Sequence, residues 1–379
     1  MTEQFPFLDL KKVNAPYEEA LTEAAERVVK SGRYIAGEEV ARLEAELSEL
    51  FKAPYVIGVS NGLDALRLTL RAWIELGRLR KDDEVIVPAN TYIASILAVT
   101  DAGLKPVLVD PDEYTMNLSV EGLQQALTDN TRAVMPVHLY GRVAWSREMR
   151  DLVESRRLLV VEDCAQAIGA RSGELGLFGS PMAGALGHAG CLSFYPTKNI
   201  GALGDAGAVV THDAELASAV RAIANYGADR RYHNIYAGFN CRLDPIQAAM
   251  LRVKLPYVHR ENAARLERAL AYSRTIERED VITPLLSPVV TDNVWHQYVI
   301  RVTGGKRDLM RERLKAEGVG TDIHYAVPPH MQPCYKGLVT GPLPVTEKLA
   351  SEIISLPIAA GTSVADAAEI ATIINNIDL

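Results

Sequence analysis

A lysine, an aspartate and a serine fall at two predicted strand ends, and their types suggest imine chemistry. Lys198 lies in the stretch Cys191-Leu-Ser-Phe-Tyr-Pro-Thr-Lys-Asn-Ile-Gly-Ala-Leu-Gly-Asp-Ala-Gly207. Residues 191–195 read as a short apolar strand, and Pro196, which has no N–H for a ladder, predicts its end. Gly201, Gly204 and Gly207 let the backbone turn around the lysine. A β-branched strand is expected to resume over 206–211. A lysine just past a strand end, aimed into a cleft and desolvated, loses its proton readily and attacks a carbonyl to form an imine. Taken alone, the stretch reads as an ordinary surface lysine.

Asp163 changes that balance. It closes the run Leu158-Leu-Val-Val-Glu-Asp163, a continuous apolar segment typical of a strand buried on both faces. A carboxylate at the C-terminal end of such a strand points into the crevice where open α/β sheets bind ligands. A lysine to carry an aldehyde and an aspartate to keep a pyridine nitrogen protonated are the two groups that a pyridoxal phosphate site needs. Ser193 is positioned to offer its hydroxyl to the phosphate. A solvated strand-end aspartate is the alternative, disfavoured by the pairing with the lysine loop. Upstream, the predicted strand 55–60 runs into Asn61-Gly62 and then a helix over 63–76. A glycine turn at a helix N-terminus is an anion site, although plain strand-to-helix turns look the same. Tyr92 follows the strand expected over 84–88. Its flat ring suits stacking on a pyridine, or the opening of the next helix as a core aromatic.

Glu162-Asp163-Cys-Ala-Gln166, Ser193-Phe-Tyr-Pro-Thr-Lys198-Asn and Gly204-Asp-Ala-Gly207 resemble the motifs of the DegT/DnrJ/StrS sugar aminotransferases. The resemblance extends from Phe7-Leu-Asp-Leu10 to Leu356-Pro357, and its motifs are specific in combination. It implies an α/β protein of the fold type I pyridoxal phosphate (PLP) transferases. A large PLP-binding domain, residues 1–255 with an N-terminal lead-in, would hold a mixed, mostly parallel sheet flanked by helices. A smaller C-terminal α/β domain would follow over 256–379. By the same resemblance Lys198 and Asp163 are catalytic. Gly62 and Leu63 give backbone donors to the cofactor phosphate, Tyr92 stacks on the ring, and Gln166 contacts the ring hydroxyl. Asn240, in Gly238-Phe-Asn240-Cys-Arg242-Leu-Asp244, reaches the phosphate in the neighbouring subunit's site; Cys241 stands where the family usually has serine. His324 and Tyr325 come against the sugar.

The implied reaction is ping-pong transamination from L-glutamate to a nucleotide-linked keto sugar, in a homodimer with shared active sites. The segments 87–97, 136–141 and 321–325 look most like the enzymes that convert dTDP-3-keto-6-deoxyhexose to dTDP-3-amino-3,6-dideoxyhexose. Tyr195 and His324 are expected against the pyranose. Arg230 suits the diphosphate, although it and Arg231 read equally as solvated surface arginines. The alternatives are a 4-aminotransferase, a dehydratase of the same fold and a non-catalytic regulatory protein. Dehydrating members lack the lysine, so Lys198 stands against the second of these.

These groups need a scaffold of alternating elements. Strands over 55–60, 84–88, 106–110, 133–139 and 158–163 alternate with helices over 63–76, 93–102, 120–127 and 146–155, which predicts right-handed crossovers and a mostly parallel sheet. Helices over 16–30 and 38–51 precede them. Residues 169–190 contain seven glycines and read as an irregular excursion over the site. Helical segments broken at Pro256, strands over 293–302 and 321–325 and helices over 308–317 and 364–377 complete the chain.

Composition narrows the partners. With 379 residues and a net charge of −8 there is no basic footprint for nucleic acid. The four cysteines have no metal-ligand spacing, and the eight histidines form no HExxH pattern, so no metal is expected. No apolar run is long enough for a bilayer, and the first residues show no secretory pattern. A cytoplasmic protein is the expectation.

Overall fold

The computed structural model describes residues 4–337 and 341–379. Seven strands share one sheet: β1 (Tyr55–Val59), β2 (Glu84–Pro88), β3 (Lys105–Val109), β4 (Thr131–Val134), β5 (Leu159–Asp163), β6 (Ala189–Ser193) and β7 (Gly207–Thr211), in the order β1-β7-β6-β5-β4-β2-β3. Neighbours from β3 through β6 pair parallel, and β7 runs antiparallel to both β1 and β6. The mixed, mostly parallel sheet is as expected.

Period-two alternation sends successive residues to opposite faces. Val85, Val87, Val161 and Val209 pack beneath the helices Gly62–Glu75, Ile93–Asp101 and Ala214–Ile223. Ile86, Val134 and Val160 face the helix Arg147–Arg156, while Val56, Leu192 and Val210 face Glu38–Phe51 and Pro245–Lys254. Each such fully buried aliphatic side chain contributes about 1.5–3 kcal/mol.

A two-stranded ribbon follows, β8 (Ala228–Arg230) with β9 (His233–Asn234). A second sheet has β10 (Val281–Ile282), β11 (Tyr298–Val302) and β12 (Ile353–Leu356), all antiparallel. Tyr272, Tyr298, Ile300, Met310, Leu314, Ile354 and Ile370 form its core, joined by Phe5. Phe5 donates its N–H to the Gly318 carbonyl at 3.0 Å and accepts from Gly320 at 2.8 Å. Arg301 on β11 bonds Glu352 at 2.7 Å and Glu113 at 2.6 Å, tying this sheet to the segment after β3. No helix among the described residues is long and apolar enough to cross a membrane.

Three local expectations need correction, and two elements were not anticipated. The strand expected over 133–139 stops at Val134, because Pro136 lacks an N–H; only Val137 still bridges Asp163. The strand expected from 293 starts at Tyr298, since Trp295 adopts φ +50°, outside extended space. Residues 321–325 form no strand; Asp322 alone bridges Ser355. The helix Pro344–Glu352 and β12 were not anticipated. They join directly at Glu352–Ile353, so no turn residue marks the boundary between the two elements.

Candidate active site

One cavity of about 500 Å³ opens at the carboxyl ends of the parallel strands. Its lining includes Asn61, Gly62 and Leu63 after β1, Tyr92 after β2, Asp163 and Gln166 at and after β5, and Ser193, Tyr195 and Lys198 at and after β6. The second sheet side contributes His296, Gln297, His324 and Tyr325. Strand ends gather these groups because parallel strands place all their C-termini at one edge.

At one end sits an anion cradle. The Asn61 side chain caps the helix Gly62–Glu75 by accepting from the Asp64 N–H at 2.8 Å. The N–H groups of Gly62 and Leu63 precede the first intrahelical donor and stay free among the described residues. Ser193 lies directly against Gly62: a Cβ there would stand 2.6 Å from the Ser193 Cβ and 3.2 Å from its Oγ. Only glycine lets the hydroxyl and the helix terminus converge.

Lys198 is held by a tight turn. Its N–H bonds the Tyr195 carbonyl at 2.8 Å, and Ala202 N–H bonds the Phe194 carbonyl at 2.8 Å. From behind, the helix Pro245–Lys254 grips the same loop. Lys254 Nζ donates to the Gly201 carbonyl at 2.6 Å, and Gln247 accepts from the Leu203 N–H at 2.9 Å. Burial lowers the Lys198 amine to about 8, with the Asp163 carboxylate opposing the shift.

Asp163 is oriented on both oxygens. Ser95 Oγ donates to Oδ2 at 2.7 Å, and the Ala165 N–H donates to Oδ1 at 3.1 Å. Thr91 lies 2.8 Å from Ser95 and completes the relay. Gln166 accepts from the Tyr140 N–H and donates to the Tyr325 hydroxyl at 3.1 Å. Tyr92 is 55% exposed, with its ring 5.1 Å from that of Tyr325, so it is a cavity wall rather than a core aromatic. His324 Nδ1 lies 2.8 Å from Ser355 Oγ; burial lowers its pKa, Asp322 opposes the shift and Lys198 adds to it.

Asn240 and Arg230 do not join this cavity. Both are exposed, Arg230 on the β8–β9 ribbon and Asn240 bridged to Asn225. Residues 169–190 do not line it either, which corrects the expected excursion over the site. Glu162, one residue before Asp163, points to the other face of the sheet. Its buried carboxylate accepts from the N–H groups of Gly184, Leu186 and Gly187 at 2.8–2.9 Å. His138 Nδ1 accepts from the Ala144 N–H, so its Nε2 donates to Glu162 at 2.8 Å. The glycines serve close packing: a Cβ on Gly190 would stand 2.2 Å from the Gly184 carbonyl oxygen.

Sequence reasoning missed Thr91, Ser95, His296 and Gln297. A Thr and a Ser four residues apart across an apolar helix start were a visible signal for the first pair. His296 and Gln297 are polar residues buried at an expected strand, and pattern alone does not direct them to a cavity.

The lining fits pyridoxal phosphate: a free helix terminus with a serine hydroxyl for the phosphate, a desolvated amine for the aldehyde and an oriented carboxylate for a ring nitrogen. Residues 16–375 match the DegT/DnrJ/EryC1/StrS aminotransferase family. The chain belongs to that family. It is 42% identical over 358 residues, 93% of this chain and 94% of the relative, to the dTDP-3-amino-3,6-dideoxy-alpha-D-galactopyranose transaminase of Aneurinibacillus thermoaerophilus. It is 43% identical over 363 residues, 94% of this chain and 92% of the relative, to the dTDP-3-amino-3,4,6-trideoxy-alpha-D-glucose transaminase of Streptomyces venezuelae. Among solved structures, S. venezuelae DesV in complex with a ketimine intermediate superposes with a TM-score of 0.92 at 38% identity, covering 100% of both chains. The fold is that of the family's PLP aminotransferases.

For this DegT/DnrJ/EryC1/StrS family member, Gly62→Ala tests the cradle. The added methyl must push Ser193 aside, so PLP affinity of the apoprotein should weaken about 10- to 100-fold, the loss of one charge-assisted hydrogen bond. Absorbance titration with PLP reads this. Unchanged affinity would remove the 62–63 terminus from phosphate binding.

Proposed function

We propose that this chain is a PLP-dependent aminotransferase that converts dTDP-3-keto-6-deoxyhexose to dTDP-3-amino-3,6-dideoxyhexose, with L-glutamate as amino donor. The observation that carries the reading is the convergence of Lys198, Asp163 and the Gly62–Ser193 cradle on one cavity, in a chain of an aminotransferase family. When bound, pyridoxal phosphate supplies an electron sink that acidifies the substrate C–H.

The chain's own residues do the rest. Gly62, Leu63 and Ser193 hold the phosphate. Asp163, fixed by Ser95 and the Ala165 N–H, holds positive charge at the ring nitrogen. Tyr92 covers one ring face, and Gln166 meets the ring hydroxyl. Lys198 carries the cofactor aldehyde and then shuttles the proton at the substrate carbon. An amine with a pKa of about 8 both takes and returns a proton near neutrality. Tyr195, His324 and Tyr325, which line the same cavity, would meet the pyranose. The dTDP-3-amino sugar assignment is supported by the substrates named for the two relatives above. Product mass spectra and NMR from a panel of dTDP- and UDP-linked keto sugars test it; exclusive turnover of a 4-keto sugar would overturn the position of amination.

Asn240 and Arg230 lie outside their own chain's cavity, so in this reading they serve the partner's site of a cytoplasmic homodimer. Asn240 reaches the phosphate and Arg230 the nucleotide diphosphate. Mixing a Lys198→Ala chain with an Asn240→Ala chain should restore activity, because one composite site per mixed dimer is intact. Verified heterodimers without recovery would count against sharing.

A further inference from the structure

A second chamber of about 200 Å³ adjoins the active-site cavity and shares His296 and His324 with it. Phe7 and Ile358 give it apolar walls, and Arg265 gives it a cation. Arg265 sits on the helix Val258–Thr275 and is only 6% exposed. Its Nη1 donates to the carbonyls of Trp295 at 3.2 Å and His296 at 3.3 Å. Nε and Nη2 have no acceptor among the described residues, and no carboxylate there lies within ion-pair distance of the group. Buried charge without a counter-ion is costly. Burial lowers this guanidinium to about 10, with Arg268 adding to the shift and Glu261 opposing it, so it stays cationic at pH 7.

Thr197 and Gln297 line both chambers without side-chain hydrogen bonds among the described residues, whereas Asp322 and His296 are already committed. Asp322 accepts the Ile323 N–H at 2.8 Å and lies 3.8 Å from His324 Nε2, with its side chain 58% exposed. Asn199 donates its amide to Asn262 and Val294, so its oxygen accepts from His296 Nδ1 at 3.1 Å. The His296 ring lines both cavities, and burial together with Lys198 and Arg265 lowers its pKa well below the usual range. A short aliphatic chain ending in an anion matches what is left: apolar walls, one unpaired fork and the Lys198 cavity alongside.

We propose that Arg265 binds the side-chain carboxylate of the amino donor, a dicarboxylic amino acid, and thereby sets donor specificity. The inference rests on the aminotransferase reading above. The donor's methylenes lie along Phe7 and Ile358, and its amine faces Lys198.

Two measurements test this. Calorimetric titration of the holoenzyme with glutarate should show affinity falling about 100-fold in Arg265→Met, the scale of a desolvated charged pair. Arg265→Lys, which keeps charge without the fork, should fall between. In single-turnover donor half-reactions, Arg265→Met should slow L-glutamate by a similar factor and L-alanine little, so the donor ratio collapses. That ratio is insensitive to a general loosening around Trp295 and His296. Equal losses for both donors, or unchanged glutarate affinity, would overturn the proposal. A wild-type protein inert toward every amino acid, yet binding glutarate through Arg265, would sink the aminotransferase reading and keep the subsite.

Discussion

Lys198→Ala is expected to lower turnover by at least about 10⁴-fold, because in the proposed reaction one side chain both carries the cofactor and moves the proton. Borohydride reduction of the wild-type holoenzyme should fix the cofactor on the peptide containing Lys198. The chain holds its own control. Lys254 is also desolvated, with its amine lowered to about 8, but it donates to Gly201 behind the loop and is absent from the cavity lining. Label on Lys254 would show that low pKa alone selects the site, and the assignment would fail. The pH dependence has a definite sign. Burial disfavours the ammonium form, so the reactive neutral amine of Lys198 predominates above about 8 instead of above 10.5. PLP capture by the apoprotein should therefore accelerate with pH and level off above about 8. A rate still climbing toward 10.5 would mean that the lysine is solvated.

Asp163→Asn is expected to cost about 10³-fold or more in the donor half-reaction, since it removes the fixed charge facing the ring nitrogen. The substitution preserves shape, and Ser95 reorients its hydroxyl to accept from the new amide. Cofactor occupancy should stay high, because the phosphate cradle and Lys198 are untouched. Single-turnover absorbance changes with L-glutamate separate the two effects. A variant with near-normal rates would remove Asp163 from the chemistry, and one that loses cofactor altogether would make its role structural.

Lys198, Asp163 and Ser193 were readable because each sits in a contiguous strand-end motif, where local pattern and position in the fold coincide. Gly62 was readable as a turn, but its steric reason, contact with Ser193, joins segments far apart in sequence. The relay from Thr91 through Ser95 to Asp163 is nonlocal in the same way. So is the guanidinium of Arg265, which looks like any helix arginine until burial and absent carboxylates are known. Residues 321–325 misled through genuine alternation: Ile323 and Tyr325 pack apolar surface while Asp322 and His324 face another chamber. That is two-sided packing without a ladder. The glycines of 169–190 suggested an irregular excursion over the site, yet they permit backbone contacts on the far side of the sheet, ordered by Glu162.

The one reversed strand has a consequence for assembly. β7 lies between β1 and β6, pairing Tyr55–Val59 on one side and Ala189–Ser193 on the other. A chain still emerging during synthesis holds β1 long before β7 exists, so β1 has no partner in this sheet until the Lys198 loop has been made and β7 slots in between β1 and β6. Gly62, just after β1, and Ser193, at the end of β6, are brought together by the strand that pairs with both. The geometry of the cradle is thus completed late in the nascent chain, after the loop that carries Lys198.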